Sequence, residues 1–179
     1  MNTIKISTAA VAAVTLLALP SGAAGQWSLE ARLGSGIPTG EVTDAPFSQT
    51  AGLGFAAEAM YTTSPRLTLY GGVSRHSFNC DDCFTDVTST GFQSGVKVNF
   101  GQNGRALPWA RGGLLLHDLD SGSDASGWGL GFDTGVGVDW RVSDPLSVVP
   151  ALRYSSYTVE DLTLSYVTID LGLHVHLSR

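Results

Sequence analysis

The sequence has 179 residues, of which 16 are Asp or Glu, 10 are Lys or Arg, and 22 are Gly. This length fits a single domain, and the acidic balance argues against nucleic acid as a partner, because nucleic-acid-binding domains present a basic patch. After about residue 25, no apolar run reaches the roughly 20 residues that a membrane-spanning helix requires.

The first 25 residues have the pattern of a secretory signal peptide. Lys5 is the only charged residue among them, an apolar run covers residues 9–19, and Pro20 and small residues up to Gly25 follow. A basic start, a short apolar run and a small-residue cleavage region are typical of such a peptide, whereas a membrane helix would be longer. We therefore expect residues 1–25 to be removed on export and residues 26–179 to form the mature domain.

Eight segments of the mature domain alternate apolar and polar residues with a period of two, which predicts β-strands. In chain order they are residues 27–33, 53–61, 67–78, 88–100, 107–117, 130–140, 146–157 and 164–177. Short connections follow the second, fourth and sixth segments, mostly longer ones follow the others, and Gly, Pro, Asn and Asp punctuate both kinds. This order predicts an all-β fold of antiparallel strands that run up and down in sequence.

The polar faces of these segments indicate which side of the sheet is the interior. A soluble barrel turns its apolar face inward, whereas a membrane barrel turns that face to lipid and fills its interior with polar side chains. Here the polar faces carry charges of both signs in nearly equal number, which suits paired charges in a narrow interior, where an unpaired charge is costly. The predicted interior charge network comprises Glu30, Arg32, Glu58, Lys97, Arg111, Asp133, Asp139, Arg153 and Asp170.

Large aromatic residues cluster beside the short connections, where an aromatic girdle would meet one membrane interface. The predicted girdle comprises Trp27, Tyr61, Phe100, Trp109 and Trp140. The segments also approach the 9–11 residues of a tilted transmembrane strand, and a closed barrel leaves no unpaired backbone edge in lipid. The sequence therefore predicts an eight-stranded antiparallel up-and-down transmembrane β-barrel, with a soluble ligand-binding barrel as the alternative.

Three sequence segments, in addition to the strand pattern, resemble those of a known family: residues 135–140 (GVGVDW), 146–154 (LSVVPALRY) and 169–177 (IDLGLHVHL). The chain resembles the small outer-membrane barrels, such as the OmpA transmembrane domain, OmpX and the opacity-type proteins, over essentially all of residues 26–179. The resemblance implies short turns in the periplasm, longer exterior loops, contact with outer-membrane lipid and lipopolysaccharide, and insertion by the barrel assembly machinery. We expect a structural or surface-interaction role in a Gram-negative bacterium, with a narrow porin-like solute channel as the alternative.

One spacing bears on catalysis, because some barrels of this class are lipid A deacylases with a His, Ser and acid set. His176 and Ser178 have a matching His-x-Ser spacing. An activated serine needs an imidazole within reach and an acid that orients it, but no acid follows this pair. We expect no enzyme activity and no cofactor, with a lipid A deacylase-like hydrolase as the alternative.

Cys80 and Cys83 are the only cysteines, and they flank Asp81 and Asp82. In an exported chain they are expected to be oxidised. A β-turn brings its ends within about 7 Å, and a disulfide spans roughly 4.4–6.8 Å between Cα atoms. We predict a local disulfide that presents the two aspartates, with a metal site as the alternative if both thiols are free.

The longer connections are uniformly acidic and contain neither Lys nor Arg. Their acids are Glu41, Asp44, Asp81, Asp82, Asp86, Asp118, Asp120, Asp124, Glu160 and Asp161. An acidic end attracts divalent cations or an external basic ligand, and simple hydration of the loops is the alternative.

Overall fold

A computed structural model of the chain describes residues 26–39, 50–79, 87–101, 104–120, 127–159 and 162–177. Its strands are β1 (Gln26–Pro38), β2 (Gly52–Ser64), β3 (Leu67–Phe78), β4 (Val87–Asn99), β5 (Ala106–Asp120), β6 (Gly127–Arg141), β7 (Leu146–Val159) and β8 (Leu162–His176). Each strand pairs antiparallel with its neighbour in the chain, and β1 pairs with β8 to close the barrel. The predicted eight-stranded antiparallel up-and-down barrel is confirmed. Within the described residues there is no helix of the length and apolarity needed to cross a bilayer.

The strands extend beyond the segments of clear alternation. β1 continues past Leu33 through Gly34, Ser35 and Gly36, which pair with both β2 and β8. These residues form backbone hydrogen-bond ladders, but they have no apolar side chains that would continue the alternation. The segment predicted from the alternation therefore ends before the strand does.

The connection between β7 and β8 is shorter than predicted. We expected a longer connection at residues 158–162, but Thr158 pairs with Thr163 and Val159 with Leu162. Only residues 160 and 161 lie between the two strands. β-Branched residues favour strands, which explains why the ladder extends into this acidic segment.

The barrel has its apolar face outside and its polar face inside. Leu53, Leu130 and Leu33 are each more than 60% exposed, whereas Glu58, Arg32 and the other interior charged residues are buried. An apolar exterior is stable only when lipid covers it, because water would otherwise contact a continuous hydrophobic surface. This distribution decides against the soluble barrel and confirms the transmembrane prediction.

The interior changes in character along the barrel axis. The end with the longer connections is filled by an apolar plug, formed by Phe78, Val87, Leu119, Tyr157, Val159, Leu164 and Tyr166. Charged side chains fill the middle, and a polar cavity opens at the end with the short connections. The barrel is therefore packed along much of its length and open mainly at one end.

We expect the cost of a charge on the lipid face to depend on its depth. Leu152 lies outward in the middle of β7, so Leu152→Arg should lower the free energy of unfolding by about 2–4 kcal/mol. The control Val142→Arg lies in a short turn and should cost at most about 1 kcal/mol. Urea unfolding in phospholipid vesicles measures both values, and equal costs would contradict the lipid-facing assignment.

Candidate functional site

A buried carboxylate, that of Glu58 on β2, lies at the centre of the interior charges. Arg32 donates to both of its oxygens, at 2.6 and 2.8 Å, and Arg111 does the same at 3.0 and 2.8 Å. The side-chain amide of Gln93 donates a further hydrogen bond at 2.7 Å. Glu58 therefore binds two guanidinium groups in bidentate geometry, the strongest form of such a pair. We call Arg32, Glu58, Gln93 and Arg111 the hub.

Strand register explains why Glu58 reaches across the lumen. Its partner on β3 is Gly72, and a Cβ atom there would collide with the Glu58 side chain. Its partner on β1 is Glu30, and Arg32 bridges these two carboxylates by donating to Glu30 at 3.1 Å as well. The missing side chain at residue 72 thus leaves space for Glu58 to meet Arg111 from the far wall.

Tyr70 and Asp133 extend the hub toward β6. The Arg111 Nε donates to Asp133 at 3.1 Å, and the Tyr70 hydroxyl donates to the other Asp133 oxygen at 2.9 Å. The Arg111 guanidinium also lies 3.7 Å from the centre of the Tyr70 ring. The Tyr70 hydroxyl reaches this position between Gly95 and Gly113, where a Cβ atom would collide with it. Tyr70 and Gln93 lie on the polar faces of their strands, but both side chains are uncharged and were therefore not included in the predicted charge network.

Two further ion pairs flank the hub. Lys97 donates to both Asp139 oxygens at 2.9 and 2.8 Å, and Arg153 donates to Asp170 at 2.5 Å. All nine residues of the predicted network are at least 90% buried inside the barrel. Because each of the four cationic residues pairs with a carboxylate, the interior avoids the cost of an isolated buried charge.

The structure contradicts the prediction for Trp109. This residue is 3% exposed and lies inside, with the Lys97 Nζ 4.7 Å from its ring centre. It is two residues from Arg111 and therefore shares the inward face, and its partner on β6, Gly137, leaves room for the indole. Three consecutive leucines interrupt the alternation of apolar and polar residues in β5, so the inward face of this strand was ambiguous. The position of Arg111, a charged residue expected inside, indicates that Trp109 also points inward.

The other four girdle residues lie at the lipid-facing side of the short-connection end. Trp27 packs on Tyr61 with ring centres 4.9 Å apart, while Phe100 and Trp140 are 67% and 59% exposed. Trp128 was not among the predicted girdle residues, but it is 54% exposed near the opposite end and stacks on Phe92. Trp128, Leu130 and Phe132 are two residues apart from one another along β6, and this spacing predicts that all three side chains point outward.

His117 lies between the hub and the apolar plug. Its two ring nitrogens are hydrogen-bonded to the hydroxyls of Ser74, at 3.1 Å, and Ser89, at 2.8 Å. The ring is fully buried, and the Tyr157 ring of the plug lies 5.4 Å away. This cluster has the composition of a serine–histidine pair, but its imidazole is enclosed by the described residues around it.

A polar cavity of about 430 Å³, here called the vestibule, opens at the short-connection end. Its lining includes Thr62, Ser64, Lys97, Asp139, His174 and His176. The His174 and His176 rings lie 4.4 Å apart. His176 therefore faces the vestibule, while Ser178, its suggested catalytic partner, lies outside the described residues.

Other predictions also fall outside the described residues. They are the signal peptide at residues 1–25, the Cys80–Cys83 disulfide and the acids at 41, 44, 81, 82, 86, 124, 160 and 161. These remain predictions.

Comparison with known proteins places the architecture in a recognised group. A family model described as outer membrane protein beta-barrel domain matches residues 7–176. Neisserial surface protein A superposes with a TM-score of 0.63 at 14% identity, covering 83% of this chain and 96% of that one. OprG of Pseudomonas aeruginosa superposes with a TM-score of 0.57 at 13% identity, covering 86% of this chain and 97% of that one. Ail of Yersinia pestis superposes with a TM-score of 0.55 at 12% identity, covering 84% of this chain and 98% of that one. No curated protein matches the sequence. At these identities the structural likeness concerns the fold alone.

Removing the carboxylate at the hub should destabilise the barrel strongly. Glu58→Ala leaves Arg32 and Arg111 without their shared partner, so the free energy of unfolding should fall by about 3–5 kcal/mol. Urea unfolding, followed by heat-modifiable gel migration, measures the change.

A double-mutant cycle supplies the control. Arg111→Met should cost less in the Glu58→Ala background than in the wild-type protein, by about 0.5–3 kcal/mol. Additive costs would show that Glu58 and Arg111 do not depend on each other.

Proposed function

Because the chain belongs to the outer membrane protein beta-barrel domain family and is located in the bacterial outer membrane, we propose that it is a closed structural barrel with a surface-interaction role. The observation that carries this proposal is the hub, whose two bidentate ion pairs span the lumen. Eight strands enclose little more volume than their own inward side chains occupy.

Two barriers in series argue against a solute channel. The hub crosses the middle of the lumen, and the apolar plug fills the end with the longer connections. An ion that passed the hub would have to separate buried charge pairs, and it would then have to leave water to cross the plug. These barriers favour a closed barrel over the porin-like alternative.

The orientation in this proposal places the short connections in the periplasm and the longer ones outside the cell, with insertion by the barrel assembly machinery. The outward apolar surface contacts membrane lipid. Arg75 is exposed near the long-connection end of β3, where a guanidinium is well suited to bind a lipopolysaccharide phosphate. The barrel thus serves as a rigid support for its exterior segments.

The exterior segments have a single sign of charge. Two of the ten predicted loop acids, Asp118 and Asp120, lie at the end of β5 and not in a connection. The other eight lie in connections that contain neither Lys nor Arg, which favours divalent cations and basic ligands over anionic ones. This surface role needs no cofactor and no catalytic residue. The His-x-Ser pair provides no support for an enzyme, because His176 faces the vestibule and not the outer leaflet.

A conductance measurement tests closure. Refolded protein in planar bilayers should give no steady single-channel steps, because the hub and the plug both obstruct the lumen. Heat-modifiable migration verifies folding, and a 16-stranded porin reconstituted in parallel verifies that the bilayer detects pores. Steady steps from the folded wild-type protein would contradict the proposal.

A calcium titration tests the acidic surface. The variant Asp81→Asn/Asp82→Asn/Asp86→Asn should bind calcium roughly tenfold more weakly than the wild-type protein, because calcium affinity follows the carboxylate count. The control Asp144→Asn lies in a short turn at the opposite end and should leave the affinity unchanged. Equal calorimetric affinities for all three proteins would contradict a role for these loop acids.

A further inference from the structure

Three potential metal ligands from separate strands converge beside the vestibule, and two of them, Asp139 and His174, line it. Glu30 comes from β1, Asp139 from β6 and His174 from β8. One donor atom from each lies within 4.8 Å of the others, and all three residues are buried. Since zinc forms bonds of about 2.0–2.2 Å to nitrogen and oxygen ligands, small rotamer adjustments would bring the three donors onto a single ion.

Several polar atoms in this group lack a hydrogen-bond partner among the described residues. The Glu30 Oε2 and both ring nitrogens of His174 are buried without a hydrogen bond in the described part of the chain. His174 is 6% exposed, and its Nδ1 lies 3.9 Å from the nearest Asp139 oxygen, too far for a hydrogen bond. Buried polar groups are rarely left without a hydrogen bond, so these atoms are an observation, separate from the donor distances, that favours a ligand at this place.

The donor set defines the chemistry of that ligand. An imidazole nitrogen with two carboxylates suits a first-row divalent metal ion. His176 lines the same vestibule beside His174 and can supply a fourth donor. We propose that Glu30, Asp139 and His174 form a divalent transition-metal site of the zinc type, which joins β1, β6 and β8 inside the barrel.

Lys97 sets the affinity of this site. Its ammonium contacts both Asp139 oxygens and lies 4.0 Å from the Glu30 Oε2. The ammonium therefore competes with a metal ion for the same two carboxylates. An incoming ion displaces this ammonium from Asp139. The adjacent face of Trp109, 4.7 Å from the Lys97 Nζ, can then retain it by a cation–π contact. Loss of the lysine charge should therefore strengthen metal binding.

The ion enters from one side only. The vestibule opens at the short-connection end, while the hub and the apolar plug separate the site from the other end. In the orientation proposed above, the site exchanges metal with the periplasm. Its occupancy is thus independent of the acidic exterior surface, which faces the opposite side of the membrane.

The test is a zinc titration of the untagged mature protein in zwitterionic detergent, carried out in the Asp81→Asn/Asp82→Asn/Asp86→Asn background to reduce binding by the loops. Calorimetry should show one tight equivalent of zinc. Cobalt should give the visible absorption bands of a nitrogen- and oxygen-ligated ion. His174→Ala should weaken zinc binding at least about tenfold, and Lys97→Met should strengthen it by a similar factor.

His76→Gln is the matched control, because it removes an interior histidine at the far end of the barrel and should leave the affinity unchanged. Heat-modifiable migration verifies folding, and His174→Gln and Lys97→Gln replace any variant that does not fold. Equal zinc affinity in the parent and the His174 variant would overturn the proposal, as would weaker binding after loss of Lys97. Neither result would affect the conductance test of the closed barrel.

Discussion

The bidentate contacts of Glu58 with Arg32 and Arg111 are the interaction on which the rest of the structure depends. A barrel that exposes its apolar residues to lipid must place polar residues in a narrow lumen, where an unpaired charge is costly. One carboxylate that receives two guanidinium groups and the Gln93 amide satisfies several buried groups at once. The strands around it therefore enclose a lumen whose middle is filled by paired side chains.

The interior differs in character on the two sides of this hub. Toward the longer connections, serines hold His117 and the apolar plug excludes water. Toward the short connections, the lumen widens into the vestibule, which His174 lines. Among the described residues, polar atoms of His174 and of the adjacent Glu30 make no hydrogen bond. The interior is therefore apolar at one end and polar and open at the other.

The sequence predicted most of the network but not its connectivity. Alternation gives each residue a face, so the nine charged residues could be placed inside together. It does not give distances across the lumen, because partners such as Glu58 and Arg111 are 53 residues apart and meet only through the closed register. For the same reason, the approach of Glu30, Asp139 and His174 was not visible from the sequence, although all three lie on the inward faces of their strands.

The sequence by itself determined the strand number, the inside-out orientation and the balance of interior charge, because all three follow from local periodicity. Tertiary structure decided which charges pair, where the lumen is closed and that Trp109 lies inside beside Lys97. The physical reason is that these outcomes depend on space between strands. The absence of a side chain at Gly72 leaves room for Glu58, and its absence at Gly137 leaves room for Trp109. Which residues face each other across two strands depends on the strand register, and the alternation within a single strand contains no information about register.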